Sequence, residues 1–394
     1  MDARPIDADN HFYEPLDAFT RHLDKAFRQR GVRPVQDGKR VELLVGGTVN
    51  KFVPNPTFDP IIVPGCLDPL FRGQIPEGVD PRTLMQVEPL RAEYQDRDKR
   101  VEVMDEQGLD GVLLFPTLAC GIEESLIDDV EATMATVTAF NRWLEEDWGF
   151  AHQERIFAAP MLSLADPEAA VAEVESLLER GVRIVHVRPA PVPGPHGTSR
   201  SLGDKAHDPV WARLAEASVP VAFHLGDSGY TRLIAAAWGG PSTFGFGKSD
   251  PLGSVLVGDR AIFDTMASLI MHGVFKRHPT LRVASIENGS DWIALLIKKL
   301  RKQANQTPWM FVEDPQETLR RHVWVTPYLE EDLGALAEVI GLDRILFGSD
   351  WPHGEGVAQP LDFEKELGGF DEAARQRIMR DNCVELLGSV GSAA

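Results

Sequence analysis

A chain of 394 residues with 43% hydrophobic and 25% charged side chains has ordinary globular composition and can bury a sizeable core. Its 60 acidic against 40 basic residues give a formal charge of -20, which repels polyanions and excludes nucleic acid as a partner. No run reaches the roughly 18 unbroken apolar residues of a membrane helix, and MDARPIDADNHFYEP has neither a basic nor an apolar leader region. The expectation is a cytoplasmic protein without membrane contact. Cys66, Cys120 and Cys383 are widely spaced and form no CxxC pair, which fits reduced thiols better than disulfides or a cysteine zinc site.

In chain order, short runs rich in Val, Ile, Leu and Phe predict strands at 5–9, 111–115, 156–161, 182–187, 219–223, 281–286, 323–325 and 345–347. Helical patterns lie between them, at 98–107, 125–148, 166–181, 208–217, 260–277, 291–306, 330–340 and 371–387. The third shows the logic. Asp166 caps it, Pro167 opens it, Val171, Val174, Leu177 and Leu178 form its apolar face, and Gly181 ends it. Eight strands alternating with helices predict one α/β domain over 1–394, a closed (β/α)₈ TIM barrel. An open nucleotide-binding sheet would carry a Gly-rich turn after its first strand, and none is present.

Residues 27–95 break the alternation. Eight prolines from Pro54 to Pro89, with Phe52, Phe58 and Phe71, predict a long inserted segment without regular elements, packed as a cap or lid over the strand ends. A second long loop, WGGPSTFGFGKSDPLGSVLV at 238–257, is expected to form another pocket wall.

Barrel enzymes place their chemistry at the carboxyl ends of the strands, so the polar residues ending each strand matter most. The first strand ends in Asp9-Asn10-His11, and alternation lets Asp9 and His11 face one centre. The fifth ends at His224, and the eighth runs into Asp350 with His353 three residues on. Two imidazoles and two carboxylates suit one borderline divalent ion, Zn²⁺ first, with Mn²⁺ or Fe²⁺ as alternatives. Such an ion activates water or polarises a substrate oxygen, and Asp350 could take the water's proton. Read singly, a D-x-H, a histidine after an apolar run, or an Asp able to cap a helix is weak; the conjunction at three strand ends carries the signal.

IDADNHFYEP, PVAFHLG and RILFGSDWPH resemble the amidohydrolase superfamily, in particular its amidohydrolase-2 branch, with further similarity in RVEVMDEQGLDGVLLFPT, FKRHPTLRVASIENGS and RDNCVELLG. These segments span residues 6 to 388. That branch includes aminocarboxymuconate-semialdehyde decarboxylase and the γ-resorcylate and related aromatic-acid decarboxylases. The resemblance implies a (β/α)₈ barrel and metal ligands at Asp9, His11, His224 and Asp350, with Asp9 standing where the family usually has His or Glu. Decarboxylases of the branch tend to carry His-Gly on the sixth strand, where this chain has Glu287-Asn288-Gly289. Glu287 is thus a candidate acid/base, a positioner of His224, or a buried structural carboxylate.

The fourth strand, RIVHVRPAPV, lacks the lysine of binuclear relatives, which favours a single metal ion. On it, Arg188 could grip a substrate carboxylate or serve an ion pair, with His186 beside it. Catalytic candidates are therefore Asp350, Glu287 and His353; substrate-binding candidates are Arg188, His186, Trp351 and Phe12, with Tyr230, Trp238, Phe244 and Phe246 as further aromatic lining. The first expectation is a mononuclear hydrolase of a small carboxylate-bearing or aromatic substrate. The second is a metal-dependent non-oxidative decarboxylase of an aromatic or unsaturated acid, and the third a non-catalytic ligand-binding barrel. The resemblance also implies a homodimer or higher homo-oligomer.

Overall fold

The structure, a computed structural model, describes residues 3–38, 40–245 and 250–388. Seven strands form parallel neighbours around a ring: β1 Ile6–Phe12, β2 Gly111–Pro116, β3 Ile156–Ala158, β4 Val185–Val187, β5 Val221–His224, β6 Val283–Ile286 and β7 Val323–Val325. β1 pairs with β2 and β2 with β3, while β4 to β7 form a second parallel run. Two bridges join the runs, Met161 to His186 on one side and Val325 to Ile345 on the other. The eighth position, 345–347, is too short for a regular ladder. It nevertheless closes the ring, because Leu346 donates to the Val325 carbonyl and Ala8 donates to that of Phe347, both at 2.8 Å.

The strands are apolar because both faces are covered, by the lumen on one side and the helices on the other. Inside, Ile6, Ala8, Leu113, Phe157, Ala222, Ala284, Trp324 and Leu346 fill the lumen. Outside, a larger core packs β1 to β7 against helices including Arg97–Gln107, Val130–Asp147, Pro167–Glu179, Asp208–Glu216, Arg260–Met271, Trp292–Gln306 and Leu333–Ile340. Asp166 caps the third of these as its sequence predicts, accepting from the Glu168 and Ala169 amides at 3.0 and 3.1 Å. No described helix is long and apolar enough to cross a membrane.

Residues 27–95 depart from expectation. Val32–Asp37 and Arg40–Val45 form an antiparallel ribbon, extended by Thr48–Val49; Ile61–Ile62 pairs with Val87–Glu88, and Asp68–Phe71 is a short helix. The signal was in the sequence. Asp37-Gly38 sits between alternating apolar residues, and Gly38 takes the positive φ of 59° that a tight hairpin turn demands. The segment is tied to the barrel mouth by the Gly65 amide on the His353 carbonyl (3.0 Å) and the Leu67 amide on that of Gly354 (2.7 Å).

Candidate metal centre and its cavity

β1 carries a register shift between Asp7 and Asn10, an extra residue that re-aims the strand at the barrel mouth. Asp9 and His11 still converge. Asp9 Oδ1 lies 3.4 Å from His11 Nε2 and 3.4 Å from His224 Nε2, the two imidazole nitrogens are 3.1 Å apart, and Asp350 Oδ1 is 3.4 Å from His11 Nε2. Asp9, His11 and His224 are buried almost completely, and Asp350 nearly so.

The second nitrogen of each histidine decides what this cluster can hold. His11 Nδ1 is 3.2 Å from the Pro116 carbonyl, and His224 Nδ1 is 2.7 Å from that of Leu225. A carbonyl only accepts, so Nδ1 of both rings carries the proton and both Nε2 lone pairs face inward. Asp9 Oδ1 has no hydrogen-bond partner although it is buried. Lone pairs and a carboxylate crowded together without a donor repel one another, and one cation removes the conflict. The residues present fit a divalent ion. Burial works to raise Asp9, yet the two imidazoles hold its carboxyl below the usual range. Burial, followed by neighbouring carboxylates, pushes Asp350 and Glu287 well above that range. A cation held by Asp9 and Asp350 would offset their share of this effect at Glu287 and leave the share due to burial and Glu355.

Glu287 and Asp350 both end their strands with positive φ, 56° and 55°, a conformation that costs side chains of this kind of order 1–3 kcal/mol. Local bonds hold both. The Glu287 amide donates to Thr326 Oγ1 (2.9 Å), and its carbonyl accepts from the Tyr328 hydroxyl (2.9 Å). The Asp350 amide donates to the Asp9 carbonyl at 2.8 Å. The strain aims both carboxylates at the centre, with Glu287 Oε2 3.4 Å from His224 Nε2. His353 Nδ1 sits 2.6 Å from Asp350 Oδ1, while its Nε2 is 3.0 Å from Thr117 Oγ1. Thr117 spends its own proton on the Phe12 carbonyl (2.8 Å), so His353 must donate to it through Nε2.

Sequence reasoning missed the layer beneath. Asp7 accepts from the Asp9 amide (3.1 Å), Asn10 Nδ2 (3.0 Å), and both the amide (3.0 Å) and hydroxyl (2.5 Å) of Ser349, stitching β1 to the loop that carries Asp350. Arg100, fully buried, donates to Asn10 Oδ1 (2.5 Å) and the His11 carbonyl (2.8 Å) and lies over the Trp351 ring at 4.7 Å. A buried polar layer has no periodic signature, so no sequence pattern announces it.

A cavity of about 250 Å³ opens over the cluster, with Asp9, Glu287, Asp350 and Glu355 in its wall and Phe71 and Arg72 of the inserted segment opposite. Four expected substrate contacts are absent from that wall. Phe12 points outward from β1, one residue out of phase with His11, and packs between Trp143 and Trp148 at 5.6 and 5.3 Å. Trp351 turns away onto Arg100 and Tyr94. Arg188 is committed to Glu124 (2.6 Å) and the Pro191 carbonyl (3.2 Å), so the ion-pair alternative describes it. His186 is buried behind His224, ring centres 5.8 Å apart, and burial depresses it to about 3. Of the further aromatics, Tyr230 is buried and bonds Asp264, Trp238 is 68% exposed, Phe244 lines a neighbouring cavity, and Phe246 lies outside the described residues.

Comparison with known proteins agrees with this architecture. The amidohydrolase family model matches residues 6–389. A crystal structure of an amidohydrolase from Mycobacterium avium subsp. paratuberculosis K-10 is 61% identical, with a TM-score of 0.94 over 98% of this chain and 100% of its own. The γ-resorcylate decarboxylase of Polaromonas sp. (strain JS666) is 26% identical over 309 residues, 75% of this chain and 89% of the relative. A dihydroxybenzoic acid decarboxylase from Polaromonas sp. JS666, solved with manganese and the inhibitor 2-nitroresorcinol, shares the fold at 20% identity, TM-score 0.56, over 82% of this chain and 93% of its own. The chain belongs to the amidohydrolase family and is an enzyme on a TIM barrel, with a cluster of residues at its mouth that could hold a metal ion.

Proposed function

We propose that this amidohydrolase-family enzyme is a non-oxidative decarboxylase of a small aromatic carboxylic acid, with one divalent cation held by Asp9, His11, His224 and Asp350. The observation that carries the reading is the alignment with γ-resorcylate decarboxylase over 75% of the chain. It reverses the order expected from sequence, which put hydrolysis first. Zinc was the first expectation for the metal; the manganese in the Polaromonas structure makes Mn²⁺ the ion to load first.

When bound, the cation supplies positive charge that orients and polarises the oxygens of the substrate acid. The remaining chemistry belongs to the chain. The bond between ring and carboxylate breaks, CO₂ leaves, and the electron pair stays on the ring carbon. Glu287, partly buried in the cavity wall, delivers a proton to that carbon and recovers one from water. His353, held by Thr117 from behind, keeps Asp350 in place through its Nδ1. Residues 27–95 form an insertion within the single barrel domain and act as a cap: Phe71 and Arg72 shield the reacting carbon from water.

The test loads the protein with Mn²⁺ and measures CO₂ release from salicylate and dihydroxybenzoates beside cleavage of phenyl esters and anilides. Decarboxylation of a hydroxybenzoate is expected, and Glu287→Gln should slow it by roughly 10²–10⁴-fold with metal content unchanged. Ester or amide turnover without CO₂ release restores the hydrolase reading.

A further inference from the structure

The outward nitrogens of the three histidines at the centre all meet one turn. Residues 116–120 leave the end of β2. The Pro116 carbonyl lies 3.2 Å from His11 Nδ1, Thr117 Oγ1 lies 3.0 Å from His353 Nε2, and Cys120 Sγ lies 3.7 Å from His224 Nδ1. His11 and His224 end β1 and β5, and His353 follows the eighth strand position, so a single turn braces three separate parts of the barrel mouth.

The turn is held in its middle by a carboxylate. The Leu118 amide donates to Glu14 Oε2 (3.0 Å) and the Ala119 amide to Glu14 Oε1 (2.9 Å). Glu14 stands three residues beyond His11 on the chain leaving β1 and is completely buried, so it ties the exit of β1 to that of β2. Burial pushes its carboxyl up to about 7, while the two amides pull the other way. Both oxygens must accept: a glutamine of the same shape would turn its NH₂ group on one of the two amides, donor against donor. Further along, the Cys120 carbonyl accepts from the Asp227 amide (3.0 Å), which fastens the turn to the loop after β5.

We propose that Glu14 is a positioning residue of the metal centre: through the turn at 116–120 it fixes the ring orientations of His11 and His353. Glu14 lines no part of the cavity over the cluster, so its influence passes through Pro116 and Thr117. With the turn loosened, the Pro116 carbonyl no longer directs the Nδ1 proton of His11, and its Nε2 lone pair is no longer held on the centre. The proposal rests on reading the cluster as a metal site, but one arm of its test does not.

The experiment compares Glu14→Gln with Glu173→Gln in the full chain at about pH 8, where carboxyls of this kind are ionised. Glu173 is also a buried carboxylate, but it sits between two outer helices, accepting from Thr138 Oγ1 and Asn141 Nδ2 at 2.7 Å each. Both variants should lose thermal stability. Glu14→Gln alone should weaken Mn²⁺ affinity, by roughly 10–100-fold in competition with a fluorescent chelator. In metal-free protein carrying nitrogen-labelled histidine, Glu14→Gln alone should move the ring-nitrogen resonances of His11 and His353. If it fails to fold, Thr117→Val removes the oxygen facing His353 at nearly constant shape and should move the His353 signals and lower Mn²⁺ affinity. Equal losses of Mn²⁺ affinity in the two glutamate variants, or histidine signals and affinity unmoved in Glu14→Gln or its substitute, overturn the proposal. Wild-type protein that takes up no Mn²⁺ would instead sink the metal reading, and the histidine resonances would still decide the role of Glu14.

Discussion

The strand ends and the loops above them are fastened by different means. At the strand ends a dense set of buried hydrogen bonds holds the backbone that carries the cluster: Asp7 alone takes four hydrogen bonds, and Arg100 grips both Asn10 and the backbone of His11. In the walls above, Phe71 is 59% exposed and Arg72 Nε makes no hydrogen bond, lying 3.7 Å from Asp68 Oδ1, although the guanidinium pairs with Glu366 and reaches the Leu329 carbonyl. The first region is fixed by buried hydrogen bonds that tie β1 to the loop carrying Asp350. The second can change residue by residue without unsettling the barrel. Chemistry is therefore set by the scaffold, and substrate choice by the loops.

That contrast can be broken by substitution. Asp7→Asn keeps the shape of the side chain but turns a donor toward Asn10 and Ser349, where acceptor oxygen is needed. It should weaken divalent-metal affinity by roughly 10–100-fold, as loss of a residue supporting the ligands does elsewhere, in a competition titration against a fluorescent chelator. Unchanged affinity would mean that the ligands stand without the layer below. Phe71→Ala should do the opposite: a rise of about threefold to tenfold in KM from lost apolar contact, with kcat and metal affinity preserved. If metal affinity falls as well, the wall and the centre are one structure and not two.

The same division governs what could be read from sequence. Asp9, His11, His224 and Asp350 were legible because strand periodicity and barrel geometry together say where a strand-end side chain points. Phe12 was misjudged by one step of that same alternation: its neighbour His11 faces the lumen, so Phe12 faces the helices. Arg188 was ambiguous because its partner Glu124 lies 64 positions away, a contact that only the fold creates. Asp7, Ser349, Arg100 and Thr117 went unseen because a buried hydrogen-bond network leaves no spacing rule behind. The ribbon within 27–95 was a missed turn signal, overshadowed by the prolines that follow it.

Metal stoichiometry reaches the centre of the account most directly. Chelator-stripped wild-type protein, titrated with Mn²⁺ and with Zn²⁺, should take up one ion per chain, while His224→Ala and Asp350→Asn, still folded by circular dichroism, should each lose that uptake. Stoichiometric binding that survives both substitutions would contradict the assignment of the four ligands, whatever reaction the barrel performs.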